Sequence, residues 1–205
     1  MPSVIQADLL KDVSANKTLA TLSSSAVTLH SDVTFPAGHI IQVQFRGFDG
    51  VQTIGNGSST GKTFVNIGTG VSGEEFSIDM AVSSGNKIIG FGAVNLSANA
   101  RYSALKIFMD SDQIAKGTAD GNRTEVTVAS QRNSSATNDS ILMHNSAFQF
   151  HYTPSDTSLH TYKVQAGNTW DNSYYTFINR QPDDTDQNFY NHRGYSHFML
   201  MEVAQ

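Results

Sequence analysis

The sequence predicts an all-β protein, an antiparallel jelly-roll sandwich of about ten strands preceded by an N-terminal arm. Three observations carry that class. Short segments alternate apolar and polar residues along most of the chain, and a period of two puts successive side chains on opposite faces of a strand. Turn-forming clusters separate them roughly every 8–15 residues, and no helical stretch long enough for a crossover intervenes. Charged residues make up only 15% of the chain, and Ser, Thr, Asn and Gly take their place. Exposed helices draw on Glu, Lys, Ala and Leu, so this composition favours strands.

The arm spans 1–35. Val4-Ile5, Leu9-Leu10 and Val13 fit one face of a short helix or part of a β arm, and periodicity does not arbitrate between them. Ser14-Ala15-Asn16-Lys17 reads as a turn, and Leu19, Leu22, Val27 and Leu29 punctuate a Ser/Thr-rich stretch. The segment is too apolar for a disordered tail and too short for its own core, so it is expected to dock on its own jelly roll or on a neighbour.

The jelly roll spans 36–205. Ile41, Val43 and Phe45 alternate along its first strand. Strands follow at Phe76–Met80, Leu105–Met109 and Glu125–Val128, and at Phe148–Tyr152, where three aromatics share one face. Tyr162–Ala166, Tyr175–Ile178 and the closing run Phe198–Val203 complete the set. The separators are Asp49-Gly50, Ser84-Gly85-Asn86, Asp110-Ser111-Asp112, Asp120-Gly121-Asn122, Thr153-Pro154-Ser155-Asp156, Ala166-Gly167-Asn168 and Gln181-Pro182-Asp183-Asp184. Each supplies a positive φ or an Asx turn.

Several functions are disfavoured at this level. The net charge is −5 with no Lys/Arg cluster, whereas phosphate backbones require a basic face, so no nucleic-acid partner is expected. The chain has no cysteine, which excludes disulfides, thiolate zinc sites and a Cys nucleophile. No window matches the ~18 apolar residues of a membrane span, so no membrane insertion is expected. The start MPSVIQADLLKDVS lacks a charged-then-apolar leader, so synthesis without a signal peptide is expected. Six Asn-X-Ser/Thr sequons, from Asn16 to Asn138, read as chance in a chain this rich in Asn, Ser and Thr.

One stretch imitates a nucleotide loop. Gly55-Asn56-Gly57-Ser58-Ser59-Thr60-Gly61-Lys62-Thr63-Phe64 ends in Gly-Lys-Thr. The phosphate-loop pattern needs a glycine where Asn56 stands, and a helix where Phe64-Val65-Asn66-Ile67 alternates like a strand. It reads as a loop between strands, with Lys62 as a surface contact. Seven histidines are scattered; His151 with His160, or His192 with His197, are the candidate metal pairs, but no third ligand is in sight. Asp110/Asp112 and Asp183/Asp184/Asp186 do not follow a calcium-loop pattern and read as turns. No cofactor, metal or catalytic residue is assigned, and the protein is not expected to be an enzyme. Trp170, Asp171, Asn172 and Tyr174 form the candidate glycan contact, through stacking and hydrogen bonding. The alternative is that Trp170 plugs the core or an interface.

Four stretches carry a family resemblance. They are Val4–Leu19, Phe35-Pro36-Ala37-Gly38-His39-Ile40-Ile41-Gln42-Val43, Ile178-Asn179-Arg180, and the tail Phe198-Met199-Leu200-Met201-Glu202-Val203-Ala204-Gln205. Together they resemble the small structural proteins of tailed phages of cyanobacterial and other aquatic hosts, whose trimeric knobs have a C1q/TNF-like jelly roll. The resemblance implies a homotrimer on the virion surface, made in the host cytoplasm, with other virion proteins met through the arm. Its expected role is a short tail fibre touching host-surface glycan; a capsid decoration protein is the alternative, and a soluble lectin a third. At 205 residues the sequence is short for a full fibre with its long shaft, so a small knob or a capsid-decorating trimer is expected rather than a reaching fibre. The expected trimer axis is the closing strand, with Phe198, Met199, Leu200 and Met201; Val4, Ile5, Leu9 and Leu10 are the expected docking contacts of the arm.

Overall fold

The computed structural model describes residues 9–11, 18–22, 27–29, 35–55, 63–71, 75–98, 102–131, 143–169, 174–183 and 192–205. The chain divides into two compact units, Met1–His39 and Ile40–Gln205. In the first, β1 (Leu9–Lys11), β2 (Thr18–Leu22) and β3 (Val27–Leu29) form a sheet in that order. Leu10 faces Ala20, and Ala20 faces Leu29 across antiparallel pairs. The helix-or-strand ambiguity at Leu9-Leu10 therefore resolves to strand. Val4, Ile5 and the turn expected at 14–17 lie outside the described residues.

The second unit contains β4 (Ile40–Phe48), β5 (Gln52–Ile54), β6 (Phe64–Asn66), β7 (Ser77–Ala81), β8 (Lys87–Ala98) and β9 (Tyr102–Met109). It continues with β10 (Asp112–Ile114), β11 (Val128–Gln131), β12 (His144–Tyr152), β13 (Leu159–Asn168), β14 (Thr176–Ile178) and β15 (Ser196–Val203). One sheet runs β4-β15-β8-β14-β5, with β12 also on β8; the other runs β10-β9-β13-β6, with β11 on β9 and β7 on β13.

The register shows how twelve strands fill eight positions. Leu96 of β8 pairs with His144 of β12 on one edge and Ile178 of β14 on the other; β15 continues the β14 edge, from Ala93 to Lys87. Likewise β7 and β6 share one edge of β13 while β9 takes the opposite one, and β10 and β11 share the far edge of β9. Each sheet is thus four strands wide and wholly antiparallel, a jelly-roll sandwich. Among the described residues the expected ten or so strands become twelve, because turns and short gaps divide four of the positions.

Inward positions of both sheets merge into one core. Leu105 and Ile107 from β9, Tyr162 and Val164 from β13, and Phe198 and Leu200 from β15 are fully buried. A chain of rings ties the layers together: Phe48 to Phe76 (5.9 Å), Phe76 to Phe198 (6.1 Å) and Phe198 to Phe148 (5.8 Å between centroids). All three pairs are tilted, an arrangement that the ring quadrupole favours, and burial of each ring adds on the order of 1.5–3 kcal/mol.

The longest strand carries no clean sequence signal. In β8, KIIGFGAVNLSA, Gly90 and Gly92 interrupt the apolar pattern. Both are packing positions: a methyl at Gly90 would overlap the Phe150 ring, and one at Gly92 the Phe148 ring. The aromatics of β12 thus lie across the glycines of its partner strand, which face them in register. Two further expectations are corrected. Ala166-Gly167-Asn168 is not a turn but the end of β13; Gly167 is required because the Thr63 carbonyl and Phe64 ring of β6 press against its Cα. The strand expected at Glu125–Val128 starts only at Val128.

Candidate functional site

The outside of the first sheet carries exposed apolar side chains, and β4 sets its character. The alternation of Ile41, Val43 and Phe45 suggested a core face. The structure turns two of them outward: Val43 is 49% and Phe45 58% exposed, while Ile41 sits half-buried at a bulge in the pairing with β15. The reason lies in the polar residues between them. Gln42 Nε2 donates to the Glu202 carboxylate (2.6 Å) and to the Ala81 carbonyl (2.7 Å), and Arg46 Nε donates to the Glu75 carbonyl (3.1 Å). These groups close the seam towards the edge of the second sheet, so β4 must present its apolar side to solvent.

That side continues across the sheet. By register, Phe45 lies beside Met199, Phe91 and then Gln149; Val43 lies beside Met201, Ile89 and then His151. Met199, Met201, Ile89 and Phe91 are half-buried, while Gln149 and His151 form an exposed polar rim. His197 stacks on Phe45 at 6.4 Å. A depression of 360 Å³ lies at Ile89, Phe91, Gln149, Phe150 and His151.

This corrects half of the expected trimer axis. Phe198 and Leu200 are fully buried in the chain's own core, so their burial needs no neighbour and they cannot touch one. Met199 and Met201 do face outward. Of the candidate glycan contact, Tyr174 is 37% exposed, whereas Trp170, Asp171 and Asn172 lie outside the described residues. Gly55 sits at φ +135° against the Tyr174 carbonyl, so the loop that resembled a phosphate cradle begins beside Tyr174. Its residues 56–62 lie outside the described residues, and the strand β6 stands where a nucleotide loop needs a helix.

The outside of the second sheet is polar. A groove of 580 Å³ includes Asn66, Glu75, Phe108, Thr161, Lys163 and Gln165. Its amides and hydroxyl pair among themselves or with neighbours: Gln165 Nε2 donates to Asn66 Oδ1 (2.9 Å) and Thr161 Oγ1 to Asp79 Oδ1 (2.7 Å). Sequence reading missed this groove because its outward residues on β13 are ordinary surface types.

Next to the groove residue Thr161, on the buried side of β13, His160 is only 7% exposed. Its Nδ1 lies 2.7 Å from Asp110 Oδ2 and its Nε2 3.1 Å from Asp156 Oδ1. The hydrogen bond to Asp110 raises its pKa; burial opposes this, and the charge of Asp156 reinforces it. With both ring nitrogens on carboxylates, the imidazole is not free to serve as a base for a nucleophile. His151 projects from the other sheet, so the proposed His151–His160 metal pair does not exist. Among the described residues, no group of three His, Cys, Asp or Glu is placed to hold a metal ion.

Asn179 is fully buried at φ +56°. Its Nδ2 donates to the carbonyls of Phe48 (2.8 Å) and Gly50 (3.0 Å), while its Oδ1 accepts from the Ser196 hydroxyl (2.6 Å). The adjacent Arg180 donates to Thr53 Oγ1 and lies over the Phe177 ring at 4.4 Å. The stretch Ile178-Asn179-Arg180 is therefore a structural joint.

No family model matches this chain, and no curated protein matches it. Among solved structures, one that is similar to it is the structure of infectious bursal disease virus, Gx strain. The identity is 8% and the TM-score 0.37, and the match covers 100% of this chain and 50% of that one. The chain thus spans half the length of the chain it matches.

Proposed function

We propose that this chain is a structural subunit of a virion, a jelly-roll knob that assembles with further copies of itself through the outer face of its first sheet. One observation carries the reading: the contiguous apolar surface built from Val43, Phe45, Ile89, Phe91, Met199 and Met201, with a polar rim at Gln149 and His151. A contiguous exposed apolar patch rimmed by polar residues marks an interaction surface. In homo-oligomers, closed rotational symmetry covers such a surface in every subunit. The phage-protein resemblance of the sequence favours three copies, with Met199 and Met201 nearest the axis. The occupation of both imidazole nitrogens of His160 supports a non-catalytic role.

Within this reading the chain is a short tail-fibre or appendage knob. It meets host-surface glycan through the loops around 168–175 and 181–194, and other virion proteins through the arm. Light scattering after size exclusion tests the assembly, with a threefold mass expected and a monomer refuting it. Immunogold labelling of intact particles then tests location: tail-restricted label supports the fibre, and label over the whole head replaces it with a capsid decoration protein.

A further inference from the structure

We propose that His160 is a pH-sensitive clasp, which holds the β9–β10 turn and the β12–β13 loop against β13 while its ring is protonated and releases them when the ring is neutral. The geometry requires the charged form. Neutral imidazole has a single N–H, so it can donate to one acceptor only. His160 faces a carboxylate at each nitrogen, Asp110 at 2.7 Å and Asp156 at 3.1 Å, and only imidazolium donates to both.

The two carboxylates organise the chain around them. Asp110 Oδ1 accepts from the Thr161 amide (2.9 Å), and the Asp110 amide donates back to the Thr161 carbonyl (2.8 Å). Asp110 itself sits at φ +53°, a left-handed conformation that Asp tolerates better than most residues because its short side chain bonds locally. Asp156 Oδ1 also accepts from the Ser158 amide (2.7 Å). One ring thus ties together residues 110, 156 and 160, which belong to a turn, a loop and a strand.

The charged and titratable surroundings favour the cation. From β7 comes Asp79, bonded to the Thr161 hydroxyl; from the β9–β10 turn, Asp110; from the β12–β13 loop, Asp156. On β13 itself stand Lys163, whose charge acts on Asp110, and Tyr162, whose ring meets the imidazole edge-on at 6.5 Å. Burial, and the neighbouring Tyr152 of β12, push the Tyr162 hydroxyl up, so it stays neutral. Of these carboxylates, Asp110 and Asp156 act on His160 itself, while Asp79 is engaged by the Thr161 hydroxyl.

The sign follows. The folded-state pKa of His160 lies above its ordinary value of 6.5. The clasp therefore contributes fully below that value and is lost as pH rises through the raised folded value.

Hydrogen–deuterium exchange of the full chain between about pH 5.5 and about pH 9, corrected for the intrinsic base-catalysed rate, tests this. Protection at the amides of Asp110, Ser158 and Thr161 is expected to fall roughly tenfold across the titration of His160, while amides of β8 and β15 hold theirs. His160→Gln is expected to abolish that step. Should this variant fail to fold, Asp156→Asn serves: it removes one charge and keeps an acceptor, so the step is expected at lower pH. Unchanged wild-type protection, a step that persists in His160→Gln, or an unmoved step in Asp156→Asn overturns the proposal. An NMR titration that shows His160 already neutral at about pH 6 overturns it as well.

Discussion

The Ser196 hydroxyl donates to the side-chain oxygen of Asn179 across 2.6 Å, and this bond closes the neck of an excursion that leaves the first sheet after β14 and re-enters it at β15. The Asn95 amide donates to the same hydroxyl (3.1 Å), and the amides of Asn179 and Gly194 donate to Asn95 and Asn179 carbonyls (both 2.9 Å). Asn179→Ala strands the Ser196 hydroxyl and two carbonyls and forces a Cβ-bearing residue without side-chain compensation into positive φ. A loss of about 2–4 kcal/mol in urea unfolding is expected. Asn179→Gly restores backbone freedom and should fall between alanine and wild type. Wild-type stability of the alanine variant refutes the joint.

Gly90→Ala and Gly92→Ala are each expected to cost about 1–3 kcal/mol, because the added methyl meets a buried ring. Combining Gly90→Ala with Phe150→Leu should lose less than the two changes summed, since the smaller side chain makes room. A double-mutant cycle by chemical denaturation reads the coupling, and strict additivity shows that the ring does not rest on the glycine.

Glu202 gives acid sensitivity of opposite sign to the clasp. It is 1% exposed, and burial alone would raise its pKa. Hydrogen bonds from Asn86, Gln42 and the Ser83 amide outweigh that and hold it below its ordinary value of 4.5. Its stabilising contribution is therefore present above about pH 4.5 and is lost as pH falls through the lowered folded value. Glu202→Gln is expected to cost about 1–3 kcal/mol at neutral pH and to flatten the fall in melting temperature towards acid. A variant whose acid profile parallels wild type would show that another group governs it.

The apolar outer face makes a separable prediction. Phe45→Glu, at a position 58% exposed, is expected to lower the solution mass to that of a monomer while leaving the far-ultraviolet circular dichroism unchanged. A monomeric wild type, or a variant with undiminished mass, removes the outer face as the assembly surface.

The sequence reading succeeded where packing follows a simple period. The strands β12 and β13 alternate cleanly because one side of each fills the core. It did not reach β8, where Gly90 and Gly92 interrupt the apolar pattern and the rings of β12 lie on them. Strands of three residues such as β5 and β10 are too short to show a period. In β4 the alternation was plain but its direction was not, because only the contacts of Gln42 and Arg46 with the other sheet decide which side turns inward. The clasp was invisible for a related reason: His160 and Asp110 are 50 residues apart and meet through strand register. The role of Asn179 likewise depends on Phe48 and Gly50, more than a hundred positions away.

The neck at Asn179 and Ser196 separates loop length from sheet register. Outward of it, Arg180 bridges to Arg193 and the His192 amide donates to Gln181 Oε1 (3.1 Å). The sheet therefore responds to where the chain leaves and returns, and not to how many residues intervene. Lengthening a closed loop costs only about 0.6 kcal/mol per doubling. An insertion between Gln181 and His192 is accordingly expected to leave the register of β14 and β15 unchanged.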